Sequence, residues 1–81
     1  MGQKIKQDEI RIGKNIRRIR KSRGIGQTEL VRILQLCGLE MTRETLVKIE
    51  RGIQHIQATQ LRTIRDTLQT TYEELLRGED E

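Results

Sequence analysis

The chain is poor in the residue types that most elaborate chemistry requires. Among its 81 residues there is one cysteine (Cys37), one histidine (His55), one aromatic (Tyr72), and no proline, tryptophan or phenylalanine. A lone cysteine cannot close an internal disulfide, which excludes a stapled secreted mini-domain. One histidine and one cysteine fall short of the four ligands of a structural zinc site. No apolar run approaches the roughly 18 residues of a membrane helix. The N-terminus is polar, without the pattern of a secretory leader. Met1-Gly2 opens like a myristoylation site, but Lys6 stands where Ser or Thr is required. The sequence therefore reads as soluble, intracellular and cytoplasmic, with no membrane partner. A single small domain buries only about 60% of the surface its unfolded chain exposes, too little for a large lidded pocket. No cofactor, metal or small-molecule ligand is expected.

What the chain has is branched aliphatic residues and charge. Eleven Ile and nine Leu must form almost the whole core. The charge is uneven: residues 1–26 carry +7, residues 27–56 are neutral, and residues 57–81 carry −3, summing to the net +4. A basic first third with an acidic end points to a polyanion met at one end of the molecule.

The apolar spacing reads as helix throughout, with no strand alternation. Ile12, Ile16 and Ile19 repeat at i, i+4, i+7, predicting a first helix over about Glu9–Arg23, with Asp8 as N-cap and Gly24 as stop. A second helix opens after Gly26, buries Leu30, Ile33, Leu34 and Cys37, and ends at Gly38. Cys37 is read as a small core residue. A third begins at the N-cap Thr42, with Met41 and Leu46 spaced as a hydrophobic staple, and ends at Gly52. A fourth covers about Ala58–Leu68 with Leu61, Ile64 and Leu68 inward. Thr71 and Glu74 form a capping box for a short last helix carrying Tyr72, Leu75 and Leu76. The expected organisation is a flexible basic arm over 1–8, a helical domain over 9–76 and an acidic tail over 77–81.

Three stretches carry a resemblance: IGKNIRRIRKSRGIGQTEL (Ile12–Leu30), TRETLVKIERG (Thr42–Gly52) and LRTIRDTLQTTYEELL (Leu61–Leu76). The chain resembles the phage-repressor type of helix-turn-helix regulators, the Cro/lambda-repressor-like or XRE family, over about four fifths of its length. The most specific part is Gln27-x-Glu29-Leu30 followed by Ile49-Glu50-Arg51-Gly52. The resemblance implies an all-α fold: a compact five-helix lambda-repressor-like DNA-binding domain with a central helix-turn-helix, whose third helix (about 43–51) enters the major groove. That groove, about 12 Å wide, admits one helix.

Carried over residue by residue, the resemblance makes Arg43, Glu44, Val47 and Lys48 the base-contacting positions. Arg43 and Lys48 can donate to guanine, Glu44 can accept from cytosine, and Val47 can meet a thymine methyl. Gln27, Thr28, Thr42, Arg51, Gln54 and His55 are the phosphate-contacting candidates. Such contacts carry affinity rather than sequence information. Arg20 and Glu50 match a family pair that ties the first helix to the end of the third, and an ion pair is expected between them.

The sequence also departs from the family pattern. Residues 35–41 are several residues longer than the usual short turn, so either the second helix gains a turn or the loop bulges. Val31 replaces a small Ala, Arg65 stands where the fourth helix often has Ala, and Ile53-Gln54-His55 lacks the usual basic residue after the glycine. One reading unit contacts few bases, so the resemblance implies a homodimer on half-sites about one turn (~34 Å) apart. Ile53, Ile56, Tyr72, Leu75 and Leu76 are the candidate interface. Only Arg77–Glu81 follow Leu76, so the chain reads as a stand-alone Cro-like repressor of a palindromic operator. The alternative is a protein-interaction module, an antitoxin or adaptor on the same fold. An enzyme is not expected, since there is no Ser/His/Asp set, metal cluster or phosphate-cradling glycine loop. RNA binding lacks the aromatic stacking platforms it usually needs.

Overall fold

Among the described residues there are five helices and one pair of two-residue strands. The computed structural model describes the backbone of Lys4–Ile5 and the whole of residues 11–78. The elements are β1 (Lys4–Ile5), α1 (Ile12–Ser22), α2 (Gln27–Leu36), α3 (Arg43–Glu50), β2 (Ile56–Gln57), α4 (Ala58–Leu68) and α5 (Tyr72–Leu75). The protein is a small, mostly helical domain with a radius of gyration of 11.4 Å. No described helix is long and apolar enough to cross a membrane.

The expected apolar faces meet in one core. Ile12, Ile16, Leu30, Leu34, Leu46, Ile49, Ile56, Ile64, Leu68 and Leu75 are fully buried. Met41 and Leu46, the staple pair, are both in it. Val31 is buried there too, so the larger side chain is accommodated between helices. The thinnest joint lies between α1 and α3. A Cβ placed on Gly13 would stand 1.9 Å from the Ile49 carbonyl oxygen and 2.9 Å from the Glu50 Cα.

Helix ends follow a common device. After α2 the Leu39 N–H donates to the Leu34 carbonyl and the Gly38 N–H to that of Gln35, both at 3.0 Å. This double closure needs a left-handed residue, and Gly38 supplies φ +88° without a Cβ penalty. α1 and α3 close by the same two bonds after Arg23 and Arg51. α4 has no glycine at its end. Gln69 takes the left-handed conformation there, at φ 53°. Arg23 holds that turn from outside, its Nε donating to the Leu68 carbonyl at 2.9 Å and its Nη2 to that of Gln69 at 3.2 Å.

Several expectations are corrected. α1 starts at Ile12 with Arg11 as N-cap, and the expected start at Glu9 lies outside the described residues. Asp8 and Lys6 lie outside the described residues, as do the last three residues of the acidic tail. Lys4–Ile5 are not a free arm. Their backbone pairs antiparallel with β2, Lys4 opposite Gln57 and Ile5 opposite Ile56. A strand of two residues is too short for alternation to reveal it. α2 does not gain a turn: it ends at Leu36, and the extra residues form a connection latched by Gln35 Nε2 donating to the Met41 carbonyl at 2.8 Å. Cys37 is therefore the exposed C-cap of α2, not a core residue. Only half of the Thr71 capping box forms. Thr71 Oγ1 accepts from the Glu74 N–H at 3.1 Å, while the Glu74 carboxylate lies between Arg18 (3.6 Å) and Arg77 (3.5 Å).

The proposed dimer surface is also smaller than expected. Ile56 and Leu75 belong to the core, and Leu76 packs against it. β2 turns Ile56 inward, and α5 lies against α1, where Asn15 Nδ2 donates to the carbonyls of Leu75 (2.9 Å) and Arg77 (3.0 Å). Ile53 and Tyr72 remain exposed. The Tyr72 ring lies under the Arg65 guanidinium, 4.4 Å from its centroid. Arg65 also bridges to Asp66 at 2.7 Å, and the hydrogen bond to that carboxylate raises its pKa above the ordinary value.

Candidate nucleic-acid interface

α3 is short, and its two sides differ sharply. Leu46, Ile49 and Glu50 are buried, whereas Arg43, Glu44, Lys48 and Arg51 are exposed and Val47 is half-buried between them. Thr42 sets where the helix starts. Its Oγ1 accepts from the Thr45 N–H at 3.1 Å and also bonds the Thr45 hydroxyl at 3.0 Å. The Thr42 side chain is thus engaged as a cap, the ordinary use of Thr at this position.

The buried side is fixed by one guanidinium. Arg20 Nε donates to Glu50 Oε2 at 2.8 Å and Nη2 to Oε1 at 2.9 Å, a two-pronged pair with both residues nearly closed off (6% and 7% exposed). Arg20 Nη1 donates to the Ile25 carbonyl at 2.8 Å, which ties in the α1–α2 turn. Gln27 completes the set, its Nε2 donating to Glu50 Oε1 at 3.1 Å. One carboxylate at the end of α3 therefore holds α1 and the start of α2. Such pairs orient more than they stabilise, because desolvation offsets most of the attraction.

The exposed side groups the expected residues unequally. Gln27, Thr28 and Arg43 line one open hollow of about 500 Å3 together with Gly26, Glu29 and Arg32. Arg43 makes no hydrogen bond or ion pair through its side chain among the described residues. Glu44 and Lys48, one turn apart, pair with each other at 3.2 Å. Gln54 and His55 line a different depression with Ile53, Gln57 and Gln60, sharing no residue with the first. Arg51 caps α3 at the end facing that loop.

Sequence reasoning missed two residues here. Gly13 gave no signal beyond being a glycine inside a helix, which at ~1 kcal/mol against Ala normally has a packing reason. Arg32 sits one helical turn after Thr28, a spacing that a helical projection of α2 would have exposed. Among the described residues no three His, Cys, Asp or Glu side chains gather as a metal site. No protein-family model, curated protein or solved structure matches the chain.

Proposed function

We propose that the protein is a sequence-specific double-stranded DNA-binding regulator of the phage-repressor helix-turn-helix type, acting as a homodimeric repressor with α3 in the major groove. The observation that carries this reading is the two-sidedness of α3. Its exposed row of Arg43, Glu44, Lys48 and Arg51 is long-armed and polar, and its buried row is fixed to α1 and α2 through Glu50. A reading helix needs both properties: reach into the groove, and a rigid support that keeps the reach in register.

Roles follow from position. Arg43, unpaired at the start of α3, is the guanine-reading residue. Glu44 and Lys48 hold each other in the free protein, so a base contact by either one exchanges that pair for a group in the groove. The first turn of α2, with Gln27 and Thr28, sits on the phosphate backbone, where free helix N–H groups and the dipole favour an anion. In the dimer two such units meet a palindromic site, and Ile53 and Tyr72 are the exposed apolar residues available to the interface.

Selection of bound duplexes from a random pool, at roughly physiological salt with competitor, tests the reading. A palindrome with half-sites about one turn apart supports it. Recovery of no motif, with weak and steeply salt-dependent binding, rejects it and leaves phosphate attraction only. Two substitutions then separate reading from positioning. Arg43→Ala is expected to cost about 1–3 kcal/mol on the best site and to relax the preference at one base pair. Equal weakening on the best site and on random DNA rules out base reading by Arg43. Gln27→Ala is expected to weaken all sequences alike, measured on the same duplexes. A changed motif in the Gln27 variant contradicts its positioning role.

A further inference from the structure

Six of the described cations are engaged within the chain. Arg18 and Arg77 reach Glu74, Arg20 is locked to Glu50, Arg23 holds the end of α4, Lys48 pairs with Glu44, and Arg65 with Asp66. Arg32 is not so engaged. It is exposed on the second turn of α2, with no ion pair or hydrogen bond from its side chain among the described residues. It lines the same hollow as Arg43, across the connection between the two helices. The one carboxylate on that hollow, Glu29, makes no ion pair with either arginine. Two unpaired guanidinium groups on neighbouring helices therefore share one open depression at the edge of the proposed reading surface.

We infer that Arg32 is a phosphate-contacting positioning residue. It clamps a backbone phosphodiester of the duplex beside the groove that Arg43 enters, and so extends the interface from the first turn of α2 to its second. This rests on the DNA-binding reading above. The chemistry suits the assignment. A planar guanidinium donates two parallel hydrogen bonds to phosphate oxygens, and Arg32 surrenders no internal partner to do so. Holding phosphate there fixes the register of α2 on the strand while leaving base choice to α3. Glu29 at the rim opposes misplaced phosphate and favours the Arg32–Arg43 side of the hollow.

The test is the salt dependence of binding, measured for wild type, Arg32→Ala, Arg32→Lys and Arg62→Ala. The probes are a duplex carrying the selected motif and the same duplex with its sequence scrambled. Arg62 is an exposed arginine of α4 outside this hollow, so its variant removes the same charge from elsewhere. Arg32→Ala is expected to weaken both duplexes about five- to tenfold. It should also lower the slope of log affinity against log salt by about 0.9, the value for one lost phosphate contact. Arg32→Lys should keep most of the slope, and Arg62→Ala all of it. Melting curves that overlay wild type keep the comparison free of folding effects. An unchanged slope for Arg32→Ala, an equal change for Arg62→Ala, or a loss confined to the motif duplex overturns the assignment while leaving the DNA reading intact. Wild-type protein that binds neither duplex overturns both.

Discussion

Gly13→Ala is expected to lower the melting temperature by about 10–20 °C, the reverse of what helix propensity alone would give. In an exposed helix interior the same change stabilises by roughly 0.5–1 kcal/mol, because Ala loses less backbone entropy on folding. Here the added methyl would stand 1.9 Å from the Ile49 carbonyl oxygen and 2.8 Å from its carbon. Those are backbone atoms of α3, so no side-chain rotamer can relieve the overlap. α1 and α3 must move apart as units. Overpacking costs typically 1–3 kcal/mol and more where backbone must shift, which outweighs the propensity gain. For a domain of this size each kcal/mol is worth about 4–8 °C. Thermal unfolding followed by circular dichroism checks this. A variant that melts within a few degrees of wild type would show that α1 and α3 separate at little cost. The same displacement shifts Glu50 relative to Arg20, so on the proposed DNA-binding reading affinity is expected to fall even at temperatures where the variant remains folded.

Arg20→Ala is expected to cost about 3–5 kcal/mol, because it strands a buried carboxylate rather than merely deleting an attraction. Glu50 is 7% exposed, and it would keep only the Gln27 amide, at 3.1 Å, as a side-chain donor. The Ile25 carbonyl loses its guanidinium partner in the same step. The informative comparison is the double variant Arg20→Ala/Glu50→Ala. Removing the second charge takes away the desolvation penalty, so the double variant should be more stable than the sum of the two single losses predicts. Denaturant unfolding of the four proteins gives the coupling directly. A single Arg20→Ala loss under about 1 kcal/mol, or strict additivity in the cycle, would falsify the buried-pair account. Because the pair orients α3, on the proposed DNA-binding reading any stability recovered in the double variant should not bring full affinity with it.

Much of the architecture was legible in the residues, and the reason is periodicity. Ile12, Ile16 and Ile19 on α1, Leu46 and Ile49 on α3, and Leu61, Ile64 and Leu68 on α4 are all buried as their spacing requires. Thr42 and Gly24, Gly38 and Gly52 mark helix ends because capping chemistry is local: a few consecutive residues contain the whole interaction. The Arg20–Glu50 pair spans 30 residues, beyond any local rule. It was expected only from the resemblance read in the sequence, not from any spacing.

The misreadings fall where an element ends or is short. Cys37 continues the apolar spacing of α2, yet the helix stops at Leu36, so the same spacing delivers it to solvent. Ile56 and Leu75 looked like spare surface because each lies in a segment too short to show a face. Both are core residues, since β2 pairs with β1 and α5 docks on α1.

The order of residues along the chain therefore specifies the fold class, the number and nearly the bounds of the main helices, and the identity of most core residues. It also determined the unequal charge and the polar outer row of α3. All of these depend on interactions between residues within about one helical turn. The rest came from packing in three dimensions. It set the close approach at Gly13, the three-way anchoring of Glu50, the pairing of Lys4–Ile5 with Ile56–Gln57 and the shared hollow of Arg32 and Arg43. It also brought Arg18, Arg20 and Arg23 to their partners. Each is a distance between segments far apart in the chain, and such distances exist only once the helices have packed.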